Sequence, residues 1–197
     1  RTATGTPLKP LQVPLLGGQN KVRGIVVTPD SKTVYANGYD SVTPIERDHE
    51  LTPIKVPEIP DSITLAPGGR TAYVVSFPLF RVPHRHRRDT ITPVSLRNGT
   101  TLRPLTVHSS PNGWGNIAIA PGGRTGYFTD TLLGEVTPIN LTTRSAGQPI
   151  ASGEGSYTIL FGQHASIGYL MESNQVVPLN TANNTTLRPI KIKGVQD

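Results

Sequence analysis

The strings APGGRTAYV at 66–74 and APGGRTGYF at 120–128 decide the fold. The same pattern stands earlier as TPDSKTVYA at 28–36 and, degenerate, as FGQHASIGYL at 161–170. Proline presets φ at the start of the turn, and Gly69 or Gly123 takes a positive φ without steric penalty. The turn is therefore tight, and the alternating apolar segments on either side of it form a hairpin. Before it stand GIVVT, SITLA, NIAIA and YTILF; after it stand TVYA, TAYVVS, TGYFTD and IGYLM. These are strands a and b of a repeating unit. Its tyrosines, Tyr35, Tyr73, Tyr127 and Tyr169, lie 38, 54 and 42 residues apart. The long interval holds an insertion, FPLFRVPHRHRRD at 77–89, and without those 13 residues the period is near 40. The four tyrosines are expected in the core.

Two further strings recur in the same order. Strand c is VTPI at 42–45, ITPV at 91–94, VTPI at 136–139 and VVPL at 176–179. Strand d is LKPLQV at 8–13, LTPIKV at 51–56, LRPLTV at 102–107, GQPIAS at 147–152 and LRPIKI at 187–192. Four antiparallel strands every 40 or so residues are the signature of a propeller blade. Such a unit buries both faces only by stacking on neighbours. The expected fold is an all-β, single-domain β-propeller. Blades are expected at 22–56, 61–107, 115–152 and 156–192, with the 77–89 insertion in the second; 6–13 reads as the outer strand of a preceding blade. Five d strings against four a–b–c sets predict a partial ring, or one completed by oligomerisation, rather than a closed four-bladed ring. Seven blades of roughly 42 residues need about 290 residues. The missing initiator Met points to a processed or trimmed chain.

TAYVVS at 71–76, GYFTD at 126–130, the P-[DG]-[GS]-[KR]-T turns and the VTPI strands resemble the bacterial YVTN-type β-propeller repeat. The resemblance covers nearly the whole chain and implies the fold. It implies no single function, because that repeat recurs in proteins of many roles. The chain departs from the pattern in its prolines: Pro44, Pro93 and Pro138 in strand c, and Pro53, Pro104, Pro149 and Pro189 in strand d. Proline donates no ladder bond, so it suits an outer edge, where it also discourages aggregation. In strand c, either the ring nitrogens sit at non-hydrogen-bonded positions or the ladder is broken there.

Composition narrows the function. The 20 Gly and 19 Pro interrupt almost any helix. With no Cys there is no disulfide framework, zinc ribbon or thiol nucleophile. No apolar run approaches the roughly 18–20 residues of a spanning helix, so no membrane span is expected. The formal net charge is +6. Half of it belongs to the insertion, where Arg81, Arg85, Arg87 and Arg88 face a single Asp89. His84 and His86 add titratable charge there.

Propeller geometry puts the a–b and c–d turns on one face, and the b–c loops and the d–a connections between blades on the other. The insertion is a b–c loop. It shares its face with LGGQNKVRG at 16–24, EIPDS at 58–62, HSSPNGWGN at 108–116 and SGEGSY at 152–157. Loops on a rigid scaffold carry function, so this face is the candidate binding face. Its candidate residues are Arg81, His84, Arg85, His86, Arg87 and Arg88 of the insertion, with Trp114, Tyr157, Arg23 and Asp61 from the connections. Arginines suit bidentate contacts to phosphate, sulfate or carboxylate; the bland alternative is a solvated loop. Trp114 is either an exposed stacking platform or a plug over its blade. Arg23, Asp61 and Tyr157 either line the mouth of a central channel or are ordinary loop residues.

No G-x-S-x-G elbow, H-E-x-x-H motif, EF-hand loop or phosphate-binding loop is present. No cofactor or metal is called for, and arginines beside His84 and His86 repel a cation. The sequence reading is a non-enzymatic scaffold, exported or surface-attached, that binds a protein or glycan partner through the b–c and d–a face. Self-association would complete the ring. One alternative is a nucleic-acid or polyanion binder using 77–89; another is a lactonase-like hydrolase.

Overall fold

The structure is a computed structural model, and it describes residues 22–47, 49–78, 88–111, 113–153, 155–162 and 166–192. The proposed outer strand at 6–13 lies outside these residues. Four antiparallel sheets follow one another along the chain, each built from consecutive strands. Blade 1 comprises Ile25–Val27, Thr33–Asn37 and Ser41–Glu46, with an outer strand in two pieces, His49–Glu50 and Ile54–Lys55. Blade 2 comprises Ile59–Leu65, Thr71–Phe77, Arg88–Ser95, Thr100–Thr101 and Leu105–His108. Blade 3 comprises Gly115–Ile119, Thr125–Asp130, Glu135–Asn140, Ser145–Ala146 and Ile150–Ala151. Blade 4 comprises Thr158–Phe161, Ile167–Met171, Gln175–Asn180, Thr185–Thr186 and Ile190–Lys191. Strands a lie side by side at the centre, in the order of blades 1 to 4. Among the described residues, the sheets form an open propeller arc and do not close into a ring. No helix among the described residues is long and apolar enough to cross a membrane.

The prolines explain the divided outer strand. A residue of an antiparallel strand turns its N and O toward the same neighbour. Pro44 O accepts from Leu51 N at 2.9 Å, Pro93 O from Leu102 N at 2.8 Å, and Pro138 O from Gly147 N at 2.7 Å. Each ring nitrogen therefore faces strand d, where a donor is missing. There the ladder breaks: Ile54–Lys55 pairs with Ser41–Val42, His49–Glu50 pairs with Ile45–Glu46, and Leu51, Thr52 and Pro53 span the gap. Of the two arrangements the sequence left open, the structure takes the broken ladder. Toward strand b the pairing continues, Pro44 opposite Tyr35.

The core lies between blades. Tyr35, Val42, Ile54 and Val56 of blade 1 pack on Ile63, Val74 and Val94 of blade 2. Tyr73 and Val75 of blade 2 meet Ile117, Phe128 and Ile139 of blade 3. Tyr127 and Val136 of blade 3 meet Ile159, Leu170 and Leu179 of blade 4. Tyr35, Tyr73 and Tyr127 thus each face the blade that follows. The Tyr127 hydroxyl donates to Asn184 Oδ1 at 2.8 Å, in the c–d turn of blade 4. Tyr169 corrects the expectation that all four are core. It is 46% exposed, while Tyr127 is fully buried, because no described blade follows blade 4. The a–b turns also touch between blades: Gly69 has φ +66°, and a Cβ there would lie 2.4 Å from Pro29 Cδ.

Candidate functional site

On the b–c and d–a face, three of the sequence candidates converge. Arg23 precedes strand a of blade 1. Asp61 sits in strand a of blade 2, where the register shifts between Pro60 and Ser62. Such a bulge re-aims a side chain. Here it turns Asp61 between both neighbouring blades. Its Oδ1 lies 3.6 Å from Arg23 Nη1, and its Oδ2 accepts from Gly115 N of blade 3 at 3.1 Å. Ser62 Oγ donates to Gly115 O at 3.0 Å beside it. One buried carboxylate therefore ties three blades together.

Arg23 is gripped by rings as well as by charge. Its guanidinium lies 5.3 Å from the Phe77 ring centroid and 5.4 Å from that of Trp114, within cation–π range of both. Phe77 ends strand b of blade 2, where the insertion begins. Trp114 N donates to Thr131 Oγ1 at 3.1 Å, and Thr131 N donates to Trp114 O at 3.4 Å. The backbone of Trp114 is thus fastened while its side chain stays outward, the residue being 59% exposed. Trp114 is therefore exposed and is not a plug buried over its blade.

A second layer, which the sequence reading passed over, lies under these loops. Asp130 ends strand b of blade 3 with its side chain fully buried. It accepts from Ser110 N at 2.8 Å, from Ser110 Oγ, and from Leu132 N at 2.9 Å. Glu172 follows strand b of blade 4 and accepts from Gly153 N at 2.7 Å and Gln175 Nε2 at 2.7 Å. Asp89 accepts from Ser109 Oγ at 2.8 Å. Each carboxylate clasps a connection between blades. Charge-assisted bonds of this kind are about twice as strong as neutral ones, so the loop face is stiff at its base. Gly113 belongs to the same device: a Cβ there would lie 2.0 Å from both Asp130 Oδ1 and Ser110 Oγ. The signal was available. Asp130 and Glu172 stand three residues after the strand-b tyrosine, where blade 2 has Ser76.

The other candidates are not gathered in. Tyr157 is exposed on the connection into blade 4; its N donates to Met171 O at 3.0 Å and its O accepts from Thr129 Oγ1 at 3.4 Å. Arg88 is exposed at the start of strand c of blade 2, paired with His108. Arg81, His84, Arg85, His86 and Arg87 lie outside the described residues. Among the described residues, no group of three His, Cys, Asp or Glu is arranged to hold a metal.

No family model matches the chain, and no curated protein matches its sequence. Its fold is widely shared, with 797 solved chains similar to it. Hydrazine synthase of Kuenenia stuttgartiensis superposes with a TM-score of 0.70 at 17% identity, over 96% of this chain and 52% of that one. A functionally unknown protein from Desulfotomaculum acetoxidans superposes with a TM-score of 0.73 at 16% identity, over 89% and 57%. U3-55K superposes with a TM-score of 0.66 at 15% identity, over 88% and 53%. The chain spans about half the length of each. At such identities the likeness shows the fold alone.

Proposed function

We propose that this chain is a non-enzymatic binding scaffold, exported or surface-attached, whose b–c and d–a face takes a protein or glycan partner. The repeat strings support placing it with YVTN-type propellers. One observation carries the reading: Trp114 is outward-facing on a clamped backbone, and Arg23 lies against its ring. Trp and Arg are the residue types that dominate binding hot spots. A rigid indole also offers a flat apolar face for a sugar ring at low entropic cost. The clasps beneath, at Asp61 and Asp130, supply the rigidity that such a site needs.

Trp114 is the only tryptophan, so its fluorescence reports on this site alone. A panel of neutral and acidic oligosaccharides, followed by a display library of folded and linear peptides, is titrated against that emission. The expected result is a saturable change with at least one probe, weakened about tenfold or more by Arg23→Ala, as for the loss of about 1.4 kcal/mol at a hot spot. Retention on heparin that depends on 79–87 and is indifferent to Trp114 would move the function to the basic loop. That retention would fall steeply with salt.

A further inference from the structure

On the face of the a–b and c–d turns, the junction of blades 1 and 2 departs from the repeat at three positions. The first is a turn residue. Just before the first piece of the outer strand, blades 2, 3 and 4 have Gly99, Arg144 and Asn184, all at positive φ. In blades 3 and 4 its side chain serves the strand-b tyrosine of the blade before. Asn184 Oδ1 accepts from the Tyr127 hydroxyl, and Arg144 lies close enough to Tyr73 to act on its phenol. Gly99 has no side chain to offer, although a Cβ there would point at blade 1, 3.7 Å from Ile54 Cγ1. Tyr35 is only 6% exposed, yet its hydroxyl has no hydrogen-bond partner among the described residues. The other two departures are acids. Strand c of blade 1 ends in Glu46 opposite Thr33, where the other blades have Ser95, Asn140 and Asn180. Asp30 stands at the turn position of Gly68 and Gly122.

These departures meet at a cleft of about 370 Å³ between the two blades. Blade 1 supplies Asp30, Glu46 and the Tyr35 ring to its lining, and blade 2 supplies Arg70, Arg97 and Leu96. Each acid is held through one oxygen. Asp30 Oδ1 accepts from Thr28 Oγ1 at 2.7 Å and from Lys32 N at 3.1 Å, and Glu46 Oε1 accepts from Thr33 Oγ1 at 2.7 Å. Leu96 N donates to Arg70 O at 3.0 Å, which keeps the two arginine-bearing turns side by side. Among the described residues, no ion pair joins these acids to these arginines. A plain anion is repelled by one wall and a plain cation by the other, whereas a molecule carrying both charges is attracted by each. A guanidinium fork matches a carboxylate, and the carboxylate oxygens match an ammonium group. The volume stands at the small end of the range for ligand pockets, about 300–1,000 Å³. We propose that this cleft binds a small zwitterion of the amino-acid or dipeptide class. Its carboxylate lies on Arg70 and Arg97, its ammonium on Asp30 and Glu46, and its apolar part over Tyr35 and Leu96.

The cleft lies on the opposite face from Trp114, so its occupancy is independent of the loop-face partner. Titration calorimetry of the full chain uses glycyl-leucine, N-acetyl-glycyl-leucine, which lacks the ammonium, and glycyl-leucinamide, which lacks the carboxylate. The expected result is saturable binding of glycyl-leucine, weakened about tenfold or more in each blocked form. Gly99→Asn places at this junction the residue that caps Tyr127, at a positive φ that Asn184 already adopts. It should keep the far-UV spectrum of the wild type and lose the binding. Glu46→Gln changes an exposed side chain and should weaken glycyl-leucine about tenfold. No saturable heat with glycyl-leucine to about 10 mM, tenfold above a millimolar dissociation constant, overturns the proposal. So does equal affinity for either blocked form or for inorganic phosphate, which means that a single charge is recognised. Binding that survives both Gly99→Asn and Glu46→Gln overturns the placement in this cleft.

Discussion

Asp130→Ala tests whether the loop face is held by buried carboxylates. The substitution strips the acceptor from Ser110 N, Ser110 Oγ and Leu132 N at once. Leu132 is exposed, so its amide recovers a bond to water. Ser110 is buried, so its two donors do not. A bond to an ionised acceptor contributes about 1.5–3 kcal/mol, and the lower value applies because the Ser110 hydroxyl can rotate toward another acceptor. The two donors then cost about 3 kcal/mol, which in a chain of this size lowers Tm by about 6–12 °C. The control is Asn140→Ala. Asn140 Oδ1 also accepts from two backbone amides, those of Thr142 and Thr143, but at an exposed turn. Water replaces it there, and the expected loss is under about 1 kcal/mol. Far-UV circular dichroism follows the sheets, and Trp114 emission follows the corner beside Asp130. In Asp130→Ala the fluorescence transition should come first, because the connection loosens before the blades do. If Asp130→Ala melts within about 2 °C of wild type, or no lower than Asn140→Ala, the clasp argument fails.

Gly69 and Gly68 form a second test. Both have positive φ, but a Cβ at Gly69 meets Pro29 while one at Gly68 meets nothing within 4 Å. Gly68→Ala should cost about 1–2 kcal/mol from backbone strain, and Gly69→Ala clearly more, read as a lower urea midpoint; equal midpoints would deny the contact between turns. A third test is alkaline. Burial raises the phenol pKa of Tyr35, Tyr73 and Tyr127 above the ordinary 10.0. A folded pKa above the unfolded one means that the folded state holds the proton more tightly. The stability this represents is therefore complete below about pH 10 and is lost as pH rises through the folded values. Urea midpoints should fall from pH 9 upward, less steeply in Tyr127→Phe; a flat profile to pH 12 would refute it.

The repeat was legible because it is local. A Pro-Gly-Gly turn between alternating apolar runs specifies a hairpin from fewer than 15 residues, and four copies in order specify blades. Burial was less legible because it belongs to neighbours. Tyr169 carries the same string as Tyr127, yet one is exposed and the other covered, and nothing within the string encodes what packs on it. The divided outer strand was half visible: the prolines announced a missing donor but not which neighbour lacked it. Arg23, Asp61 and Trp114 could be assigned to one face from topology. Their meeting depended on the bulge at Pro60–Ser62, which no sequence period reports. Asp130 and Glu172 were missed because a single acid at a strand end looks like an ordinary loop residue.

Every blade draws all its strands from one unbroken stretch of chain. Among the described residues, no sheet borrows a strand from a distant part of the sequence. A cut or insertion at any connection therefore leaves each hydrogen-bonded ladder whole and disturbs only a blade-to-blade junction. Stability in such an array is a sum of unit terms and nearest-neighbour terms. A gene encoding it can lose or duplicate one repeat in register without creating an unpaired strand. Blade number is thus a quantity that recombination can change in single steps, with packing between faces as the only filter on the outcome.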